Sequence, residues 1–335
     1  MIILNAIKII FLLGFLVFIH EGGHFLVAKA FKIKVTEFSI GFGPTFFAKQ
    51  GKETKYVIRA IPFGGYVNMV GESERVNEEG SFSNAKILPR IAIVAAGGIV
   101  NIVFGVLTFF ILVAITGTNI STTIGEIIPE YASNISLLEV GDTILEIDGR
   151  KVHLKSDIDK KMQEVKSDEP ITLLIERDGK TQYVSVIPSK YENENYILGI
   201  KVAIKEKNLQ NNIYYAFWET IDFTFSIGDS LKMLFTGAVK PEQMMGPIGI
   251  SEMVVETNGI YNFVYLLSLV SLSLGVTNLL PIPALDGGRI LLLIIEGIRG
   301  KALKEEVELG IQSAGFTLLI LFSLYVSYND ILRMF

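Results

Sequence analysis

From Ile91 to Ile115 the chain runs without one charged side chain. A helix of that length rises about 1.5 Å per residue, which is enough to cross the roughly 30 Å hydrocarbon core of a bilayer. Three further apolar runs are long enough to do the same. The first, Ile2 to Phe31, is interrupted by Lys8 and by a polar cluster at His20 to His24. The third runs from Tyr261 to Pro283, and the fourth, Ile311 to Tyr328, is again uncharged. A composition of 50% hydrophobic and 19% charged residues, with a mean hydropathy of +0.45, sets the chain apart from ordinary soluble proteins. The first run lacks the basic start and small-residue cleavage site of a signal peptide, so it reads as a retained helix. There is no cysteine, which excludes disulfides and thiolate metal sites. The net charge of -5 comes with no basic block that would suit nucleic acid.

The loop from Lys32 to Arg90 is short and basic, carrying Lys32, Lys34, Lys49, Lys52, Lys55, Arg59, Arg75, Lys86 and Arg90; Arg289, Arg299, Lys301 and Lys304 follow the third run. The positive-inside tendency therefore puts both basic loops in the cytosol, and both termini and the long polar region between the second and third runs outside. Within the first loop, Val35 to Pro44 and Lys55 to Val67 are rich in β-branched and aromatic residues and flank Gln50-Gly51-Lys52, the pattern of a β-hairpin. Its apolar parts, Phe46-Phe47 and Ile61 to Tyr66, enter a membrane only where their backbone is covered by protein or lines a wet cavity. Thr122 to Val202 alternates short apolar runs with the turns Asp148-Gly149 and Asp178-Gly179 around a helical stretch from Ser156 to Val165, predicting a small α/β domain. Asn211 to Gly237 predicts an amphipathic helix.

His20-Glu21-Gly22-Gly23-His24 is an H-E-x-x-H motif. Residues four apart share a helical face, so both imidazoles can hold one ion. Glu21 projects about 100° from His20, beside the ion and not on it, where it can take a proton from an activated water. Ionisable groups in a membrane helix are costly unless they serve a site, which favours function over coincidence. A catalytic zinc takes three protein ligands and leaves one position open. His153, the only other histidine, reads as a surface residue of the outer domain, so the third ligand is expected to be a carboxylate. Asp286 is the best candidate, because it follows the third run in Asn278-Leu-Leu-Pro-Ile-Pro-Ala-Leu-Asp-Gly-Gly-Arg289 at a depth comparable to His20. It can equally be the N-cap of a helix from Gly287 to Ile298. Glu296 is the next alternative, and its mid-helix position suits solvent or a partner better. Asn101 and Asn278 are isolated amides in apolar runs and either bridge helices or hold a substrate backbone. Pro281 and Pro283 break the third helix and free carbonyls beside the site, and Gly97-Gly98 permits close helix packing.

With those residues in place the chain resembles the site-2 protease family, in particular its bacterial RseP-type members. The likeness rests on His20 to His24, on Phe63-Gly-Gly-Tyr-Val67 with Gly71-Glu72, on Asn101, on Gly246-Pro-Ile-Gly249 and on Asn278 through Gly288. It implies a fold: a multi-pass α-helical membrane protein of about four transmembrane helices, with a membrane-associated β-hairpin and one extracytoplasmic α/β PDZ domain. The expected divisions are 1–31, 32–90 (hairpin loop), 91–116, 117–205 (PDZ), 206–260 (amphipathic connector), 261–310 and 311–335. It implies Zn2+ held by His20, His24 and Asp286, with Glu21 as catalytic base. The re-entrant hairpin would present substrate, with Gly64, Gly65, Asn101, Asn278 and Pro281 as substrate contacts. It further implies cleavage of single-pass membrane proteins, such as anti-sigma factors or remnant signal peptides, at the cytosolic side of a bacterial inner membrane, in contact with lipid. The second helix departs from the family pattern: Ala96-Gly97-Gly98 stands where a proline is common, which puts a kink there in question. Tyr131 to Leu138 lacks the glycine usual in such PDZ domains. The rivals from other classes are a membrane zinc-binding or transport protein and an inactive PDZ scaffold; a glutamate between the two histidines favours hydrolysis.

Overall fold

The computed structural model describes residues 2–72, 74–117, 119–190, 196–237 and 245–334. In chain order the elements are α1 (Ile2–Ala30), β1 (Val35–Gln50), β2 (Lys55–Met69), α2 (Ile87–Thr116), β3 (Ile120–Ile127), a 3-10 turn (Pro129–Ile135), β4 (Thr143–Ile147), β5 (Arg150–Lys151), α3 (Lys155–Glu164), β6 (Ile171–Arg177), β7 (Lys180–Val186), β8 (Ser189–Lys190), β9 (Tyr196–Ile197) and β10 (Ile200–Ile204). They continue with α4 (Leu209–Phe235), α5 (Pro247–Glu256), α6 (Ile260–Asn278), α7 (Asp286–Arg299) and α8 (Glu305–Met334). Four helices, α1, α2, α6 and α8, are long and apolar enough to cross a membrane. The chain divides into two compact units, one of residues 1–109 with 224–335 and one of residues 110–223.

In the first unit small residues decide how closely the helices approach. A Cβ on Gly275 would lie 2.6 Å from the Gly98 carbonyl oxygen, and one on Gly105 2.9 Å from that of Ser268, so α2 and α6 touch backbone to backbone. One on Gly23 would lie 2.6 Å from the Ala96 carbonyl oxygen, which brings α1 equally close to α2. Such contacts replace the hydrophobic drive that is missing between helices in lipid. Helix α2 is continuous through Ala96-Gly97-Gly98, so the absent proline leaves no break there. Lys8, in the first half of α1, donates to the Thr257 carbonyl at the C-terminal end of α5 (3.0 Å). The Gly246-Pro-Ile-Gly249 motif opens α5 and meets the buried Asp330 carboxylate of α8. That carboxylate accepts the N–H groups of Gly246 (3.0 Å) and Gly249 (2.9 Å), filling the space a side chain would need and satisfying the orphan donors of the helix start.

The expected hairpin is more elaborate than two straight strands. Residues 37–40 pair with 65–68 on one side and with 55–58 on the other, while 45–50 pair with 55–59. Each strand therefore bends midway, and the four segments lie side by side in the order 45–50, 55–59, 35–40, 65–69. The bends fall at Gly41 (φ 84°), Gly43 (φ 81°) and Gly64 (φ 80°), a conformation that glycine alone adopts freely. At Gly41 a Cβ would also lie 2.5 Å from the Ile61 carbonyl oxygen. Arg59 ties the segments together, donating to Glu37 (2.6 Å), Ser39 (2.9 Å), the Gly43 carbonyl (3.0 Å) and the Tyr66 hydroxyl (2.6 Å). Val35, Phe38, Val67 and Met69 of the sheet pack with Ile93, Val94 and Leu293 in one buried cluster, which seats the 65–69 segment beside α2 and α7.

The second unit holds a sheet of order β10-β3-β4-β6-β7 with β5 on β4. Its core of Ile124, Ile144, Ile147, Leu173, Ile175 and Val186 is closed by Ile158 and Met162 of α3. Asp142, 1% exposed, receives Arg177 Nε and Nη2 (2.7 Å each) and the Glu139 N–H (2.8 Å). Burial works to raise its carboxyl pKa, but these donors outweigh burial and hold it below the usual carboxylate range. The bonded carboxylate therefore stabilises the fold above the unfolded value of about 3.9, and that stability is lost as pH falls through the lowered folded value. Asp142→Asn is expected to cost about 1–3 kcal/mol, because a buried acceptor for a charged donor is weakened. A lower urea midpoint for proteolysis of this domain would show it, and an unchanged midpoint would contradict it.

His153 is half-buried, its ring stacked on Trp218 of α4 with centroids 3.4 Å apart and planes 7° apart. It is accordingly less of a plain surface residue than the sequence suggests, and it belongs to no group of metal-ligating side chains among the described residues.

Candidate metal centre

His20 and His24 project from one face of α1, as their spacing requires. The coil between α6 and α7 delivers Asp286 to them. Leu279 to Leu285 is held tightly: a Cβ on Gly287 would lie 2.1 Å from the Leu280 carbonyl oxygen, one on Gly288 2.3 Å from that of Ile282, and one on Gly315 of α8 2.6 Å from that of Pro283. Ala284, in the left-handed region (φ 75°), donates its N–H to Gln312 Oε1 of α8 (2.6 Å). The strain of a non-glycine residue at that φ is offset by this packing on both sides. Asp286 is the first residue of α7. The N-cap position falls to Leu285, and no side chain caps the helix, so the capping alternative for Asp286 has no counterpart in the geometry.

The Nε2 atoms of His20 and His24 lie 3.2 Å apart, and Asp286 Oδ2 lies 3.2 Å from the first and 3.4 Å from the second. For ligands about 2.0–2.1 Å from a tetrahedral ion the ligand–ligand edge is about 3.3 Å. The triangle therefore has the size of one tetrahedral face. His24 Nδ1 donates to the Ile93 carbonyl (2.8 Å), which leaves the Nε2 of a neutral imidazole as a lone pair. Asp286 Oδ2 is buried and has no hydrogen-bond donor of its own. Lone pairs converging on one point, with one left orphaned, fit a divalent cation. These three residues are the one group of metal-ligating side chains among the described residues.

A cavity of about 180 Å³ opens on this triangle, lined by Glu21, Gly65, Tyr66, Val67, Met69, Glu72, Val94 and Arg289 besides His20, His24 and Asp286. Glu21 lies against the sheet: a Cβ on Gly65 would come within 3.0 Å of its Cγ. The 65–69 segment is thus an edge strand facing the proposed metal, and among the described residues no strand pairs with its outer side. Arg289 donates to Glu72 (2.6 Å), joining the helix that carries Asp286 to the end of the sheet. The same pair, with Arg75, Arg90 and Gln312, lines a larger cavity of about 540 Å³.

Of the remaining sequence candidates, Gly65 lines the smaller cavity, whereas Gly64, Asn278 and Pro281 do not. Asn101 is fully buried and lies against the His20 ring (Nδ2 to Nδ1, 3.4 Å). Glu296 is bonded to the buried Arg90 (2.6 Å). Sequence reasoning gave no role at this site to four contributors: Ile93 through its carbonyl, Gly97, Glu72 and Arg289. A Cβ on Gly97 would lie 2.3 Å from His24 Nε2 and 2.8 Å from His20 Cε1, so this glycine makes room for both imidazoles. The Gly71-Glu72 pair was visible as part of a motif, but its partner was not.

Two imidazoles, a carboxylate and a free glutamate around one cavity, in a unit built on apolar helices, define a membrane metallohydrolase. More specifically, the chain belongs to peptidase family M50, whose family model matches residues 8–322. It is 36% identical over 338 aligned positions to a zinc metalloprotease of Fusobacterium nucleatum, covering 97% of each chain. It is 29% identical to the regulator of sigma-W protease RasP of Bacillus subtilis and 30% to the protease Eep of Enterococcus faecalis, covering 99% of all chains concerned. Among solved structures, the PDZ domain of an SdrC-like protein from Listeria innocua matches 26% of this chain and 99% of its own, at 15% identity and a TM-score of 0.23.

Proposed function

We propose that this protein is a zinc metalloendopeptidase that cleaves transmembrane segments of single-pass membrane proteins, with Glu21 as general base and His20, His24 and Asp286 as zinc ligands. The observation that carries the reading is the triangle of converging lone pairs with Glu21 beside it and an unpaired strand edge facing it. Zinc, when bound, lowers the pKa of a water and polarises the scissile carbonyl. Glu21 takes the proton of the attacking water and passes it to the departing amine nitrogen. His24, fixed through Ile93, and Asp286, fixed by the packed Leu279–Leu285 coil, hold the ligand set without rearrangement.

A helical substrate hides its peptide bonds in internal hydrogen bonds, so it must unwind first. The Gly65–Met69 edge offers replacement backbone bonds by β-augmentation, and Gly65 lets that extended chain approach Glu21. The B. subtilis relative is named as a regulator of sigma-W, which supports anti-sigma factors as one substrate class. The basic loops favour a cytosolic position for the site in a bacterial inner membrane and an external position for residues 117–205. The motif resemblance favours a PDZ domain there.

Purified protein in liposomes, with a single-pass substrate on one side of the comparison and radioactive zinc uptake on the other, separates protease from transporter. Zinc-dependent cleavage without uptake is expected. Uptake without cleavage would replace this reading by the transport one.

A further inference from the structure

Helix α2 turns one face toward the two imidazoles. Gly97 clears the space they occupy, and Asn101, one turn further on, contacts His20. The two histidines are held differently. His24 Nδ1 has a backbone acceptor in Ile93, whereas His20 Nδ1 faces an amide whose NH2 group is the nearer end, at 3.4 Å. The other end of that amide, Asn101 Oδ1, is buried and has no donor. A buried, unpaired amide oxygen beside a ring N–H is costly, and the two ends of an amide have nearly the same shape. Turning the amide over places Oδ1 on His20 Nδ1 and removes the orphan.

We propose that Asn101 is a positioning residue for the metal centre: its Oδ1 accepts the His20 Nδ1–H, which fixes the ring's tautomer and directs the Nε2 lone pair at the metal. The inference rests on the zinc reading above. Neither sequence expectation for Asn101 explains the amide. Bridging between α2 and α6 is done by its main-chain carbonyl, which accepts the Ser271 hydroxyl (2.9 Å) and needs no particular side chain. Contact with substrate is ruled out by a relative exposure of 0%. What the side chain alone supplies is an acceptor for one imidazole, the role that outer carbonyls and carboxylates play for metal-bound histidines in general.

The test is competition for zinc between the full-length protein in detergent and a soluble chelator, for wild type, Asn101→Leu, Asn101→Asp and Ser271→Ala. Asn101→Leu is expected to weaken zinc binding by about 10–100-fold, the usual effect of losing such a partner. Ser271→Ala, which touches only the packing bond, should bind as wild type does. Asn101→Asp should bind as tightly or more tightly, since a carboxylate is a better acceptor for Nδ1–H. This last sign is decisive even if Asn101→Leu fails to fold. If the amide instead donated to Nδ1, an aspartate would face a lone pair and binding would weaken, which would overturn the proposal. Wild-type affinity in folded Asn101→Leu would overturn it as well, with the zinc reading intact. A wild type that takes up no zinc would overturn both.

Discussion

Glu21→Gln is expected to reduce cleavage by about 10²–10⁴-fold, the range for losing a general acid–base group, while leaving one zinc bound per protein. The reason is geometric. His20, His24 and Asp286 form the triangle proposed to hold the ion, and Glu21 lines the same cavity without belonging to that triangle. Glutamine keeps the shape that packs against Gly65 but cannot accept the proton. His20→Ala and His24→Ala, by contrast, should lose zinc and cleavage together. Parallel measurement of zinc content and cleavage in membranes decides the matter. Zinc loss in Glu21→Gln equal to that of the histidine variants would move Glu21 from base to ligand.

The second large effect is expected at a residue that touches no substrate. Gly97→Ala puts a methyl group where His24 Nε2 lies 2.3 Å away and His20 Cε1 2.8 Å away. Both rings must then leave their positions or α2 must back away from α1. That movement is blocked on the other side by the contact of Gly98 with α6, where a Cβ would meet Leu279 and the Gly275 carbonyl at 2.8 and 3.0 Å. With the triangle spread, zinc affinity and cleavage should both fall at least as far as in Asn101→Leu, about 10–100-fold or more. Gly22→Ala is the matched control, because a Cβ there meets nothing within 4 Å. It should behave as wild type, and equal behaviour of the two alanine variants would contradict the role given to Gly97.

How much of this was legible beforehand follows the range of the interactions. The histidines and Glu21 stood out because helical spacing is local: four residues apart on an apolar helix is enough to predict one face and one ion. Asp286 was reached by counting ligands and comparing depths, and its rival role as an N-cap could not be dismissed until the helix start was seen to fall at Asp286 itself. The sheet was readable as strands but not as four segments, since where a glycine bends a strand depends on what lies across it, such as the Ile61 carbonyl opposite Gly41. Gly97-Gly98 read as ordinary close packing, which holds for Gly98. Gly97 serves the imidazoles of a different helix, a relation that no periodicity within α2 encodes. The pairs Arg289–Glu72 and Arg90–Glu296 lie more than two hundred positions apart in the chain, beyond any sequence pattern. The second unit shows the same division: alternation and Asp-Gly turns located its strands, while the buried Asp142–Arg177 pair emerged only from the fold.

The most direct test of the central claim is X-ray absorption at the zinc edge on wild type and Asp286→Asn. Wild type is expected to bind one zinc, with two imidazole nitrogens and carboxylate and water oxygens at about 2.0–2.2 Å. Asp286→Asn should lose the carboxylate contribution together with most of the bound zinc, and cleavage with it. A wild-type zinc shell that Asp286→Asn leaves unchanged, or cleavage near the wild-type rate in that variant, would contradict the assignment of His20, His24 and Asp286 as the metal centre.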